Sequence, residues 1–322
     1  GGILTKYAGW EWIFFVNVPV GALVLALTRP IVRESRIPGL QGFDVAGGAT
    51  ITSSLALLVY GISKAPDVGW GTAQTIGVLA GAALLLAAFV YIETHVQSPM
   101  LPFRIFRVGN VLGADVCGFL IGAATFSNFF ILTLYVQQVL GYSALKAGLT
   151  FLATAGTVIP VAGLAQALTT RVGVRPTLTA GLLLLTAGML YYTQISVNGS
   201  FLGDLLPGYL LVGFGLAFSF IPVSIAALAG VEGHEAGLAS GLINTTQQIG
   251  GALGVAIAST VAFTHVRTLL ASGHDQPAAL TSGFSLAFWV IAAFAAAGAV
   301  AAFVLVRGRA LEQLESETVP AG

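Results

Sequence analysis

A single acid stands within an otherwise uncharged apolar run, Asp115 in the stretch 109–137. On a helix turning about 100° per residue, Phe119, Gly122, Phe126, Phe129, Thr133 and Gln137 all fall within about 40° of it. An acid, three aromatic rings, a hydroxyl and an amide on one face suit a cavity that receives amphipathic, aromatic or cationic compounds, with the acid as a proton or cation site. A plainer reading stays open beside this one. Asp115 lies only about 9 Å in from Gly109 at 1.5 Å per residue, where an acid can be solvated or paired with an arginine at the membrane edge. Phe at this spacing also packs between helices or faces lipid.

A second polar stripe, Asn244, Gln247, Gln248 and Gly251, has the spacing i, i+3, i+4, i+7 and so shares one helix face. A buried amide in lipid needs a partner, which is either a neighbouring helix or a bound solute. Gly237/Gly241 and Gly250/Gly254 are small-xxx-small pairs and read as helix-packing surfaces. Pro160 and Pro222 lie inside apolar runs, where a proline frees a carbonyl and bends the helix, as a fixed kink or as a hinge. Arg171, Gly173 and Arg175 lie in a short basic turn, read either as a simple cytoplasmic connection or as a gating loop. Cys117 reads as a small buried hydrophobe. His95, His234, His265 and His274 fall in predicted loops without metal-ligand spacing. Gly213-Phe214-Gly215 lacks the third glycine of a dinucleotide site, and no nucleophile–base pair accompanies it. The sequence therefore predicts no enzyme, metal or organic cofactor.

The elements that must hold these residues are membrane helices. Of 322 residues 56% are hydrophobic and 8% charged, with a mean hydropathy of +0.91. A soluble domain carries about 25% charged residues to wet its surface, so lipid is the expected solvent. A net charge of zero leaves no basic stripe for nucleic acid. The 41 glycines suit close helix approach in a bilayer. About nine apolar stretches can cross a hydrocarbon layer of about 30 Å. They run over 12–28, 45–63, 73–92, 109–137, 147–168, 176–195, 205–229, 237–263 and 283–306, the fourth long enough to be tilted or bent. The connection 264–282 is expected to be a loop. Of the 13 basic residues, nine (Arg29, Arg33, Arg36, Arg104, Arg107, Arg171, Arg175, Arg307 and Arg309) then share one side with the C-terminus, against Lys6, Lys64, Lys146 and Arg267. The positive-inside rule makes the richer side cytoplasmic.

Three segments carry a family resemblance: W-E-W-I-F-F-V-N-V-P-V-G (Trp10–Gly21), L-Y-V-Q-Q-V-L-G-Y-S-A-L-K-A-G-L (Leu134–Leu149) and E-A-G-L-A-S-G-L-I-N-T-T-Q-Q-I-G-G-A-L-G-V-A (Glu235–Ala256). They resemble the sixth, ninth-to-tenth and thirteenth helices of the fourteen-helix drug–proton antiporters of the major facilitator superfamily. Gly1-Gly2 look like the tail of that family's Gly-Pro-rich antiporter motif. Two departures stand out. Glu11 replaces the usual Arg, and Gln166 and Thr170 replace the Gly and Asp of the superfamily's Gly-x-Leu-x-Asp-Arg-x-Gly-Arg signature, whose place Arg171, Gly173 and Arg175 otherwise match.

The resemblance implies an all-α polytopic membrane protein with the major facilitator fold, its nine spans standing for helices six to fourteen. It divides the chain into the last helix of an N-terminal bundle (1–30), an extra two-helix hairpin (31–108), a C-terminal six-helix bundle (109–310) and a cytoplasmic tail (311–322). The function it implies is proton-coupled export of drugs or other hydrophobic or cationic small molecules by alternating access in the cell membrane, with the proton gradient as energy source. A carrier for an endogenous metabolite and a non-transporting membrane scaffold are the alternatives. The odd span count and the missing initiator Met read as a fragment, whose partners are the lipid bilayer, protons, a small-molecule substrate and missing N-terminal helices of the same protein. The family's main acidic coupling motif belongs to the first of those helices. The chain alone is therefore expected to be inactive.

Overall fold

The computed structural model describes residues 2–31, 44–96, 99–233 and 235–307, and these form helices and short connections. Arg33, Arg36, His234, Arg309 and the tail 311–322 lie outside the described residues, as do the side chains of Lys6 and Arg29. Twelve α-helices follow in order: α1 (Gly2–Tyr7), α2 (Trp12–Phe15), α3 (Asn17–Ile31), α4 (Val45–Val68), α5 (Ala73–His95), α6 (Val111–Leu134), α7 (Ala144–Thr150), α8 (Leu152–Val172), α9 (Val174–Tyr192), α10 (Leu206–Leu228), α11 (Ala236–Ala271) and α12 (Gln276–Leu305). Among the described residues eight helical stretches are long and apolar enough to cross a membrane, and Trp12–Thr28 is a shorter apolar one. They match the nine predicted stretches in order.

Local chemistry sets the ends. Asp44 caps α4 by accepting from the Gly47 N–H at 2.8 Å, and Asp275 caps α12 through Ala278. Gly173 alone separates α8 from α9, with φ at +98°, a region open to glycine and strained for other residues. Gly173→Ala is expected to cost about 1–2 kcal/mol; a thermal melt in detergent that matches wild type would refute it. One π turn, Tyr135–Val139, ends α6, and another, Phe201–Leu205, precedes α10.

Two parts of the sequence reading need correction. The expected loop 264–282 is mostly helix, since α11 runs on to Ala271 and only Ser272–Asp275 connect it to α12. His265 and Arg267 lower the hydropathy there without lowering helix propensity. Accordingly His265 sits half-buried on α11, Nε2 lying 3.0 Å from the Ser282 hydroxyl on α12, and His95 is in the last turn of α5 rather than in a loop. Among the described residues the pair Gly237/Gly241 also meets nothing, whereas Gly250/Gly254 is a true packing surface.

Helices α6 and α8–α12 pack around one apolar core. The tightest seam is α6 against α11, where Gly118 and Gly122 meet Ile243 and Gln247, while Gly250 and Gly254 meet Phe119 and Ala123. At one end a ladder of rings closes the bundle: Phe129–Phe151 (5.4 Å), Phe151–Tyr209 (5.4 Å), Tyr209–Tyr192 (6.1 Å) and Tyr192–Phe288 (5.1 Å). At the other, Arg104 pairs with Glu235, and Asn110 exchanges two hydrogen bonds with the Arg307 backbone at 2.8 and 3.3 Å. Helices α4 and α5 form a hairpin, tied by the Ser54 hydroxyl to the Ala82 carbonyl at 2.8 Å, and α4 docks on α11. Helix α1 lies across α7, with Gly2 against Ala144 and Leu145, while α2 and α3 expose nearly all their side chains.

Candidate functional site

The clamp between Asn110 and Arg307 fixes the start of α6, and one turn later Asp115 is buried, 4% exposed, against α11. Its Oδ1 lies 3.4 Å from the Thr246 hydroxyl. That hydroxyl has one proton, and the Ile243 carbonyl at 3.0 Å is its nearer acceptor. Oδ2 is buried without a partner among the described residues. Asp115 is thus buried, and among the described residues no arginine bonds it. A carboxyl so poorly compensated in an apolar interior is costly to keep, and an incoming proton, a cationic solute or a helix shift can complete it.

The predicted Asp115 stripe divides between two neighbours. Its first half belongs to the α6–α11 seam, where Gly122 faces the Gln247 backbone and Phe126 covers Gly251 while remaining 43% exposed. Phe129 turns to the other side and meets the Phe151 ring at a tilt of 52°. The Thr133 hydroxyl bonds back to the Phe129 carbonyl at 2.6 Å, and Gln137 is exposed in the π turn. On the side of Phe129, a cleft of ≈ 340 Å³ opens between α6, α8 and α10, lined by Thr125, Phe129, Val158, Ala162, Leu216, Ala217, Phe220 and Ile221. It is almost wholly apolar, and the Thr125 hydroxyl in its wall is buried without a partner.

Thr125 is a residue the sequence reading missed. It lies about 80° off the Asp115 face at 100° per residue, so a search along that face passes it by. Ser127 and Asn128 also carry buried, unpartnered oxygens on α6. Their signal in the sequence was a polar run, Thr125 to Asn128, in the middle of an apolar helix.

The second stripe also splits. Gln247 packs on Gly118 and Gly122, while Asn244 and Gln248 are exposed, the Asn244 amide donating to the Ser240 carbonyl at 3.0 Å. Thr246, outside that stripe, is the residue that reaches Asp115. In the basic turn Arg171 is exposed, whereas the Arg175 guanidinium sits 4.2 Å over the Phe303 ring and anchors the turn to α12. Arg104, Arg175 and Arg307 thus belong to one end of the bundle, and Lys64 and Arg267 to the other.

The family model described as Major Facilitator Superfamily matches residues 1–255. The chain is 33% identical to a puromycin resistance protein of Streptomyces alboniger over 96% of its length and 63% of the relative's. It is 36% identical to a cephamycin export protein of Amycolatopsis lactamdurans, over 95% of the chain and 62% of the relative. A multidrug resistance protein of Mycobacterium tuberculosis is 33% identical over 81% of the chain and 48% of its own length. The chain spans less than two thirds of the length of these relatives.

Proposed function

The chain belongs to the major facilitator superfamily, and from that premise we propose that it works in proton-driven export of hydrophobic or cationic small molecules. It is a multi-pass membrane protein. The observation that carries the reading is a pairing on one helix. α6 bears a buried acid with an open oxygen, Asp115, and about 15 Å further along at 1.5 Å per residue it walls an apolar cleft with Thr125 and Phe129. The relatives, named as resistance or export proteins for puromycin, cephamycin and multiple drugs, support the same substrate class.

In this reading the cleft between α6, α8 and α10 holds part of the substrate, and Asp115 exchanges a proton as the α6–α11 seam shifts. The arginine-rich end, with Arg104, Arg171, Arg175 and Arg307, faces the cytoplasm. Residues 109–310 rock as one body, the hairpin 31–108 follows, and the turn at Gly173 acts as part of the cytoplasmic gate. The protein is a carrier without catalytic chemistry or cofactor, its partners being lipid, protons and solute. A membrane potential supplies about 2.3 kcal/mol per charge per 100 mV, so one inward proton sustains roughly a 50-fold gradient of a neutral solute.

The test is efflux of a fluorescent cationic dye from sealed vesicles carrying the transporter. Export should stop when a protonophore collapses the gradient, and Ala162→Trp, which fills the cleft, should lower export by about tenfold or more, the value of a lost contact of 1.4 kcal/mol. Efflux that persists without the gradient would sink the antiport reading.

A further inference from the structure

A second cleft, of ≈ 370 Å³, opens away from the first, between the α4–α5 turn, α11 and α12. Trp70 of the turn, Thr260, Val261, Thr264, His265 and Thr268 of α11, and Leu286 of α12 line it. Three of its polar side chains are already engaged, Thr260 through the Ile62 carbonyl at 3.3 Å. His265 is within hydrogen-bonding distance of Ser282, and the Thr268 hydroxyl donates to the Thr264 carbonyl at 3.1 Å. What remains open is mainly apolar wall and the face of Trp70, itself 53% exposed.

The end of α4, with Asp67 three residues before Trp70, has the opposite character. Asp67 at the end of α4 lies between two cations, 2.6 Å from the Arg267 guanidinium and 3.5 Å from the Lys64 ammonium. Arg267 also donates to the Pro66 carbonyl at 3.3 Å. One carboxylate against two cations leaves this ion-paired cluster with one surplus positive charge. A half-exposed tryptophan beside charged side chains at the end of spanning helices marks the boundary of hydrocarbon and water.

We propose that this cleft is a site for one anionic phospholipid. An acyl chain lies against Trp70, Val261 and Leu286, and the phosphate rests on the cations Arg267 and Lys64. Charge complementarity selects this occupant. The surplus positive charge repels a cationic amphiphile and gives a neutral one no net attraction, and a soluble anion leaves the apolar floor bare. Because its walls come from both α4–α5 and α11–α12, the bound lipid bridges the hairpin and the bundle, covering apolar surface that the contact of α4 with α11 leaves open.

The full-length transporter, purified in neutral detergent, is mixed with equal amounts of dioleoylphosphatidylglycerol and dioleoylphosphatidylcholine, and retained lipid is read by native mass spectrometry. The anionic lipid should be retained in excess. Thr264→Trp and Val261→Trp, which fill the cleft, should abolish the excess. Arg267→Gln should reduce it about fivefold, the effect of one basic residue near a charged lipid surface, whereas Asp67→Asn should raise it by a similar factor. Both of those substitutions break the same ion pair, so a purely structural tie predicts that they act alike. Equal retention of the two lipids, an excess that survives both tryptophan variants, or parallel losses in Arg267→Gln and Asp67→Asn would each overturn the proposal.

Discussion

Alanine at Gly122 or at Gly250 should destabilise the protein strongly, while alanine at Gly237 or Gly241 should leave it unchanged or slightly firmer. A Cβ on Gly122 runs into the backbone carbonyl of Gln247, and a Cβ on Gly250 into that of Phe119. Both obstacles are main chain in the middle of long helices, so no rotamer change relieves them; α6 and α11 must move apart. Overpacking of this kind costs about 1–3 kcal/mol where side chains can adjust, and rigid backbone puts these sites at or above the upper end. The loss is not recovered elsewhere, because helices in lipid associate through close van der Waals contact rather than through the hydrophobic effect. The two glycines face each other's helix across one seam, so the double substitution should cost less than the sum of the singles. Gly237 and Gly241 have open space around them, and alanine there gains up to about 1 kcal/mol of helix propensity. Melting temperatures from fluorescence-detected size exclusion would decide it. Four variants with equal midpoints would refute the seam.

Those glycine pairs also show where a sequence stops being readable. Gly237/Gly241 and Gly250/Gly254 have the same spacing on the same helix, and spacing alone cannot say which side faces a neighbour. The spans themselves were legible, because about 20 apolar residues are what a bilayer demands, and the structure keeps their order. Helix ends were less so. α11 continues through His265 and Arg267, which hydropathy reads as an exit from the membrane and backbone propensity does not. Of the candidate site, Asp115 was visible as the one acid in its run. Its neighbour Thr246 was not, because periodicity sorts residues around one helix, and this contact joins helices far apart in sequence. The same limit explains why the Asp115 stripe looked like one surface. Its first members meet α11, while Phe129 meets Phe151 on another side and Gln137 is exposed.

Asp115→Asn is the substitution that separates a coupling role from a packing one. Asparagine has nearly the volume of aspartate, and its side-chain oxygen can still accept from Thr246, so the seam with α11 should close as before and the melting temperature should hold. What it loses is the ability to take up and release a proton. With Asp115 in the proton path, the variant reconstituted in proteoliposomes should still exchange substrate down its own gradient. Accumulation driven by an imposed proton gradient should fall by at least about tenfold, equivalent to 1.36 kcal/mol of lost driving force. Thr246→Val supplies the contrast. It removes the long hydrogen bond at 3.4 Å and leaves the acid in place, so driven accumulation should persist with a shifted pH profile. If Asp115 only fills space between α6 and α11, its asparagine variant will accumulate substrate as wild type does, and the proton path must then run through other residues.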